Sequence, residues 1–343
     1  KRQPTQKSFF FRHIPISKGV FAKKFINVIQ LGQWNATTMP GRGRARMSKG
    51  GFVMSSTHAQ DLRKILSESK FLTLPGVYDC LSAKIAEEAG FPALFLSGGA
   101  LAYSVLGRPD FGFLSLAEFG AAIQHIVSSC KAPLLADADN GFGNAIQAAN
   151  TGAMYEQLGA AGLQIDDKVL PANHPARDEI IDWELMGPKI QAVRDNVSDD
   201  FVIVYRTCAN LYNYGVEESI RRINLAVERG ADYAYVDGIK SMDELKKISD
   251  EAKIPLMVNL NEKGFVGGNV PIEQIKAMNY TIGLFPISSM LAAAQGMIEV
   301  LGALADQGST LGVRDKMTDP PTKIHRMMGQ FSLVEKYTPY YNV

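Results

Sequence analysis

Ala132-Pro-Leu-Leu-Ala-Asp-Ala-Asp-Asn-Gly-Phe-Gly-Asn144 sets a short apolar run, Pro133 to Ala136, directly before Asp137 and Asp139 and a loop loosened by Gly141 and Gly143. The run has the length of a buried strand. Alternate residues of a strand share a face, so both carboxylates are expected to point the same way where the strand ends. Two carboxylates held that close repel unless a cation lies beside them. Oxygen-only ligands suit a hard ion, Mg²⁺ or alternatively Mn²⁺. An isolated Asp-x-Asp has a plainer reading, a polar loop that caps the next helix. The rest of the chain decides between the two.

Outward from this stretch the chain repeats one unit, a short apolar strand followed by a helical pattern. The strand-like runs are Phe71–Val77, Ala93–Leu96, Pro133–Ala136, Leu163–Ile165, Phe201–Tyr205, Tyr233–Val236, Pro255–Val258 and Ile282–Phe285. Helical spacing follows at Asp79–Ala89, Ser115–Cys130, Asn144–Leu158, Trp183–Arg194, Val216–Glu228, Met242–Glu251, Ile272–Met278 and Ser288–Leu304. Eight such units over residues 55–305 count out a TIM (β/α)8 barrel with parallel strands and right-handed crossovers. A doubly wound open sheet is the runner-up, but no Gly-x-Gly-x-x-Gly follows the first strand.

Composition narrows the functional class. The 343 residues carry a net charge of +1, and 46% of them are hydrophobic. Residues 1–54 hold eleven Lys/Arg and no acid, leaving 25 basic against 35 acidic side chains in the rest. An acidic body argues against nucleic acid as the partner. With no unbroken run of eighteen apolar residues, no membrane span is expected. Cys80, Cys130 and Cys208 have neither metal-finger nor disulfide spacing, so a reducing, cytoplasmic setting is expected. The basic segment 1–54 reads as a transit peptide, which would direct the protein to mitochondria, as a non-native extension of the chain, or as a basic surface arm. Residues 306–343, polar with aromatics at the end, read as a helical arm packed on a neighbouring subunit.

Active sites of TIM barrels lie at the C-terminal ends of the strands. There the sequence sets Ser97-Gly98-Gly99 after strand two, Asp137 and Asp139 after strand three, and Asp166, Asp167 and Lys168 after strand four. Arg206 follows at strand five, and Asn259 and Asn261 at strand seven. Each has a structural reading of its own: a plain turn for Ser97–Gly99, a neighbouring acid for Arg206, an internal Asp167–Lys168 pair, a surface position for His174, and packed thiols for Cys130 and Cys208. Their joint placement on successive strand ends favours a site. The carboxylates would hold Mg²⁺ in part through waters. Arg206 would clamp a substrate carboxylate, and backbone N–H groups of the Ser97–Gly99 turn would face a developing oxyanion.

Pro75-Gly-Val-Tyr-Asp-Cys-Leu-Ser-Ala83, Leu96-Ser-Gly-Gly99, Leu106-Gly-Arg-Pro-Asp110, Asp137–Asn144, Ile165-Asp-Asp-Lys168 and Val204-Tyr-Arg206 occur in one order across residues 57–308. In this the chain resembles the isocitrate lyase / phosphoenolpyruvate mutase superfamily. The resemblance implies a barrel whose last helix is exchanged with a neighbouring subunit, and a homotetramer built as a dimer of such dimers. It implies Asp137, Asp139 and Asp166 as metal carboxylates, with Asp166 standing where the family usually has Glu. It implies Tyr78, Ser97, Gly98, Gly99, Arg206 and Asn259 on the substrate, and Asp110 in a gating loop. The family's Cys-Gly-His loop after strand four is replaced by Asp166–Pro175, which offers His174 as the one candidate proton donor. Ala172 stands where the phosphonate enzymes have Lys, and Cys208 where many relatives have Asp. The loop is most similar to the oxaloacetate decarboxylase-like branch.

The reading is therefore a Mg²⁺-dependent C–C lyase or decarboxylase on a small 2-oxo or 2-hydroxy dicarboxylate, oxaloacetate-like, through a pyruvate-enolate-like intermediate. Phosphonopyruvate or carboxyphosphonoenolpyruvate chemistry, as mutase or hydrolase, is one alternative. A non-catalytic barrel that binds a small dicarboxylate is the other.

Overall fold

The computed structural model describes residues 57–171, 179–318 and 320–341. The expectations for residues 1–54 and for His174 fall outside these residues.

Eight parallel strands close into a barrel in sequence order: β1 (Leu72–Val77), β2 (Leu94–Leu96), β3 (Leu134–Asp137), β4 (Gly162–Asp166), β5 (Val202–Thr207), β6 (Tyr233–Val236), β7 (Leu256–Asn259) and β8 (Tyr280–Phe285). The ring closes by β1 pairing with β8, with Leu72 opposite Ile282 and Leu74 opposite Leu284. The principal helices are α1 (Thr57–Glu68), α2 (Cys80–Glu88), α3 (Gly98–Leu101), α4 (Leu116–Ser129), α5 (Ala145–Gln157), α6 (Trp183–Asn196), α7 (Val216–Glu228), α8 (Met242–Glu251), α9 (Phe265–Asn269), α10 (Ile272–Lys276) and α11 (Ser288–Gln307). Capping boxes at Asp79/Ser82 and Ser115/Glu118 fix where α2 and α4 begin.

The period-two alternation sorts side chains into two cores. Leu72, Leu74, Phe95, Leu135, Val202, Val204, Tyr235, Met257, Ile282 and Leu284 fill the barrel interior. Their neighbours Leu94, Leu134, Ala136, Leu163, Ile165, Ile203, Tyr205, Val236 and Val258 face the helices. A one-residue slip in any strand would exchange the two sets, so the register is fixed by burial. The same alternation continues past the apolar layers, and it decides which polar residues reach the mouth.

Two elements, α1 and α3, depart from expectation, and a third is set apart by its exposure. Before β1 lies α1, whose Leu62 joins the interior core with Ile65 and Leu66 packed beside it. Arg63 ties α1 to the start of β5, donating to the carbonyls of Asp199, Asp200 and Phe201 at 3.0–3.2 Å and pairing with Asp232 at 2.8 Å. The stretch after Ser97, expected as a glycine-rich loop, is helical through α3 and a wide turn at Ala102–Leu106. Two adjacent glycines are poor helix formers and hide it in the sequence. Finally, α11 runs 20 residues with none buried, exposing Leu291, Met297, Ile298, Leu301 and Leu304.

The sequence leads to no expected membrane span, and the structure adds one observation to that reading. By length and composition α11 is long and apolar enough to cross a membrane. Its apolar residues are interrupted by Gln295 and Glu299, so no unbroken run marks it. Residues 308–318 and 320–341 form short helices and turns, with Phe331, Leu333, Val334 and Tyr337 exposed.

Candidate active site

Asp137 is the last residue of β3, and its side chain points into the barrel mouth. Tyr155 of α5 donates its hydroxyl to the Asp137 carbonyl at 3.0 Å and holds the strand end from behind. Asp139 does not continue the strand. Its φ of 41° turns the chain back, its N–H donates to Asp137 Oδ1 at 3.1 Å, and its carbonyl accepts from Asp166 N at 2.8 Å. The two carboxylates are therefore neighbours through a turn rather than through strand alternation. Gly141 makes the turn possible, with φ of 82° and a position where a Cβ would come within 2.9 Å of Ile165 Cδ1.

Across the mouth, α3 brings Gly98 against Asp137. The Gly98 N–H donates to Asp137 Oδ2 at 3.3 Å, and a Cβ at Gly98 would sit 2.8 Å from that oxygen. A Cβ at Gly99 would lie 3.4 Å from Asp110 Oδ2, so Asp110 stands over the same turn. The Ser97 N–H belongs to the sheet, donating to the Val77 carbonyl at 3.0 Å, and Ser97 Oγ caps α3 by accepting from Ala100 N. Of the three expected oxyanion donors, Ser97 is thus engaged elsewhere and Gly98 is aimed at Asp137. Tyr78 is half-buried just past the end of β1, its N–H held by Ser82 Oγ at 3.0 Å.

Asp166 faces inward at the end of β4, opposite Arg206 of β5. Its Oδ1 accepts from Lys168 N at 3.0 Å, and its Oδ2 lies 4.0 Å from Lys168 Nζ. Asp167 faces the other way, as strand alternation requires. It accepts from Tyr205 Oη, Thr207 Oγ1 and Cys208 N, each at 2.8 Å, and from Arg222 of α7 at 3.2 Å. The expected Asp167–Lys168 pair is therefore wrong: Lys168 pairs with Asp166, and Asp167 belongs to the outer wall. Cys208 is fully buried behind it, as a packed thiol should be.

Arg206 is held by a residue the sequence reading passed over. Asp237, directly after β6, forms a short ion pair with the Arg206 guanidinium and also accepts from Tyr235 Oη and Gly238 N. The guanidinium lies 5.1 Å from the centroid of the Tyr235 ring. An acid at the C-terminal end of a barrel strand is the signal that marks Asp237 in the sequence. Arg206 Nε, Asn259 Oδ1 and Gln164 Oε1 are buried there without a hydrogen-bond partner. Buried polar atoms are normally paired, so these mark positions for a ligand.

The electrostatics follow from burial and crowding. Burial pushes the Asp137 carboxyl up to about 6; Arg206 opposes this, while Asp166 and Asp110 add to it. Asp139 is pushed up by burial and then by Asp137, Asp166 and Asp110. Asp237 is held below the usual carboxylate range, because Arg206 and Lys168 outweigh its burial. Asp110, Asp137, Asp139, Asp166 and Asp237 crowd this mouth, and the cations acting on them include Lys168 and Arg206. That excess of oxygen-borne negative charge fits a hard divalent cation. Among the described residues no three acid, His or Cys side chains already close around one point. Mg²⁺ keeps several of its waters, and such a site needs no all-protein cage.

Comparison with known proteins agrees with this geometry. The family described as phosphoenolpyruvate phosphomutase matches residues 62–303. The 2,3-dimethylmalate lyase of Eubacterium barkeri is 34% identical over 265 residues, which cover 76% of this chain and 90% of that protein. The structure of oxaloacetate acetylhydrolase with the inhibitor 3,3-difluorooxalacetate superposes with a TM-score of 0.75 at 29% identity, covering 84% of this chain and 98% of the other. Phosphonopyruvate hydrolase in complex with oxalate and Mg²⁺ gives the same TM-score at 26% identity, covering 84% and 100%.

Proposed function

Since the chain belongs to the phosphoenolpyruvate phosphomutase family, within the isocitrate lyase / phosphoenolpyruvate mutase superfamily, we propose that it is a Mg²⁺-dependent carbon–carbon lyase or decarboxylase acting on a small 2-oxo or 2-hydroxy dicarboxylate. The observation that carries this is the carboxylate-lined mouth with one clamped arginine beside it. Asp137, Asp139 and Asp166 would hold the ion. When bound, it would act as a Lewis acid toward the keto or hydroxyl oxygen at C2.

The chain's own residues do the rest. Arg206, pre-aimed by Asp237 and Tyr235, presents its unpartnered Nε to the substrate carboxylate. The Gly98 N–H, donating to Asp137 Oδ2, holds that carboxylate in place and leaves the Gly99 N–H as the remaining candidate of the turn for the C2 oxygen. Asn259 Oδ1 and Gln164 Oε1 are acceptors for substrate hydroxyl or ordered water. With a 2-oxo dicarboxylate, the electron pair of the breaking bond moves into the C2 carbonyl and CO₂ departs, so no base is required. With a 2-hydroxy dicarboxylate, the hydroxyl proton would pass to one of the mouth carboxylates, the C2–C3 bond would break as C2 becomes a carbonyl, and the electron pair left on C3 would take up a proton. His174 is the candidate for that proton.

The test is turnover of oxaloacetate and of malate-type substrates by the purified chain with Mg²⁺, against Asp137→Ala. Loss of at least 10²-fold in the variant is expected, and normal turnover by Asp137→Ala in saturating Mg²⁺ would sink the metal site. Phosphonopyruvate followed by phosphorus NMR separates the P–C reading, which the similarity to phosphonopyruvate hydrolase keeps in view.

We further propose that the exposed apolar face of α11 docks on a second copy of the chain, within a homotetramer. Light scattering should give a multiple of the chain mass. A monomer that floats with lipid vesicles would instead favour a membrane role for α11.

A further inference from the structure

Asp110 reaches the mouth on the segment between α3 and α4. After the wide turn at Ala102–Leu106, Gly107 takes φ of 58° and Gly112 φ of 77°, so the chain bends on both sides of Asp110. Phe111 N donates to the Pro109 carbonyl at 2.9 Å, which closes a tight turn with Asp110 at its centre. Arg108 lies 5.3 Å from the centroid of the Phe113 ring, and Leu114 is buried among the side chains that face the helices.

The tip of this turn meets a residue from another strand end. Leu170, on the segment that follows β4, packs directly on Gly112: a Cβ there would come 2.5 Å from Leu170 Cδ2 and 3.4 Å from its Cδ1 and Cγ. The isobutyl group therefore fills the space in which any other residue at 112 would carry its side chain. Leu170 is supported in turn by the residues just before it. Val169 N donates to the Glu179 carbonyl at 3.1 Å, Lys168 N to Asp166 Oδ1 at 3.0 Å, and Asn140 Nδ2 to the Lys168 carbonyl at 3.1 Å. Two residues before Gly112, Asp110 Oδ2 lies 3.4 Å from the place of a Gly99 Cβ. From there its charge adds to the crowding that pushes the Asp137 and Asp139 carboxyls up.

We infer that Leu170 is a positioning residue for Asp110: seated on Gly112, it fixes the turn after α3 so that the Asp110 carboxylate keeps its place over the Ser97–Gly99 turn. The inference rests on the metal-site reading of the mouth, and it adds an apolar residue that acts through another. Small displacements count here. At an effective dielectric of about 20, a carboxylate that withdraws from about 6 to about 8 Å from a divalent cation forfeits about tenfold in its affinity.

The experiment titrates Mg²⁺ by calorimetry into the wild type, Leu170→Ala, Asp110→Asn and the double variant, and follows hydrogen exchange of residues 107–113 without metal. Leu170→Ala should weaken Mg²⁺ binding by about five- to tenfold. The double variant should bind no more weakly than Asp110→Asn alone, because Leu170 has nothing left to position. Leu170→Met keeps the side-chain volume and should stay within about twofold of the wild type. Exchange in residues 107–113 should quicken at least about tenfold in Leu170→Ala while the strands keep their protection.

Unchanged exchange in residues 107–113, or a Leu170→Ala loss that adds in full to that of Asp110→Asn, overturns the inference, since general loosening would act with or without the Asp110 charge. A wild type that binds Mg²⁺ together with an unaffected Leu170→Ala leaves the metal site standing without it. If the wild type binds no Mg²⁺, the metal-site reading fails and takes with it the consequence for the ion, while exchange still decides whether Leu170 holds the turn.

Discussion

Replacing Asp167 by Ala should cost stability heavily while touching no candidate ligand of the metal. The Asp167 side chain is fully buried between β4, β5 and α7, and the Arg222 side chain is 5% exposed. Deleting one partner of a buried ion pair costs about 3–5 kcal/mol, because the other charge is left behind. Arg222 keeps Glu218 Oε1 at 2.7 Å and the Ile181 carbonyl at 2.9 Å, which places the charge penalty at the low end. Against that, Tyr205 Oη, Thr207 Oγ1 and the Cys208 N–H lose their acceptor, at about 1–3 kcal/mol for each group left unpaired, partly relieved by water entering the space. The low ends of these ranges sum to about 6 kcal/mol, before what entering water recovers. The loss would be measured as a lower urea midpoint at unchanged m value, with fluorescence and circular dichroism transitions required to coincide. Asp167→Asn/Arg222→Met, which removes both charges, should be less damaging than the sum of its single changes. A loss below about 1.5 kcal/mol for Asp167→Ala, or strict additivity in the double variant, would refute this account of the outer wall.

Three further outcomes are expected. Burial lowers the Lys189 amine from its ordinary 10.5 to about 8, although Asp166 and Asp167 oppose the shift. Between those values the unfolded chain binds more protons, so wild-type stability rises with pH there. Lys189→Met should thus be the more stable protein near pH 7, by on the order of 3 kcal/mol, with the gap closing towards pH 10.5; a gap that does not change with pH would refute the assignment. Gly98→Ala should weaken Mg²⁺ binding at least tenfold in calorimetry while the fold survives, because the new Cβ would lie 2.8 Å from Asp137 Oδ2; unchanged affinity would show that Asp137 can move away freely. Ile298→Asp with Leu301→Asp, both exposed on α11, should shift the assembly to a smaller species in light scattering without moving the far-ultraviolet spectrum.

The barrel was legible because its signal is redundant. Each strand is a short apolar run, each is followed by a helical period, and closure needs only that the count reach eight. The elements that escaped carry weak local signals. The helix α1 precedes the first repeat, and its amphipathic face, Leu62, Ile65 and Leu66, has meaning only once the barrel end beneath it exists. At α3 the Gly-Gly pair argues against helix, and Ser97 capping with sheet contacts overrides it. In the site, residue types and strand ends were readable, but facing was not. Asp166 and Asp167 look alike in sequence and lie on opposite sides of one wall. Asp139 reaches Asp137 through a left-handed turn that no strand periodicity predicts. Asp237 became visible only when Arg206 was seen to need a partner.

The segment after Asp166 is pinned at both ends. Val169 N donates to the Glu179 carbonyl at 3.1 Å, Ile181 N donates to the Asp167 carbonyl at 2.7 Å, and Lys168 bridges Ile180 in antiparallel fashion. What lies between those bonds is a cassette on a clasp. Lengthening a loop whose ends are already fixed costs little, about 0.6 kcal/mol for each doubling. Evolution or an engineer could therefore change the length and content of the insert at little cost in stability, because the closing bonds at Asp167, Val169, Glu179 and Ile181 do not depend on it.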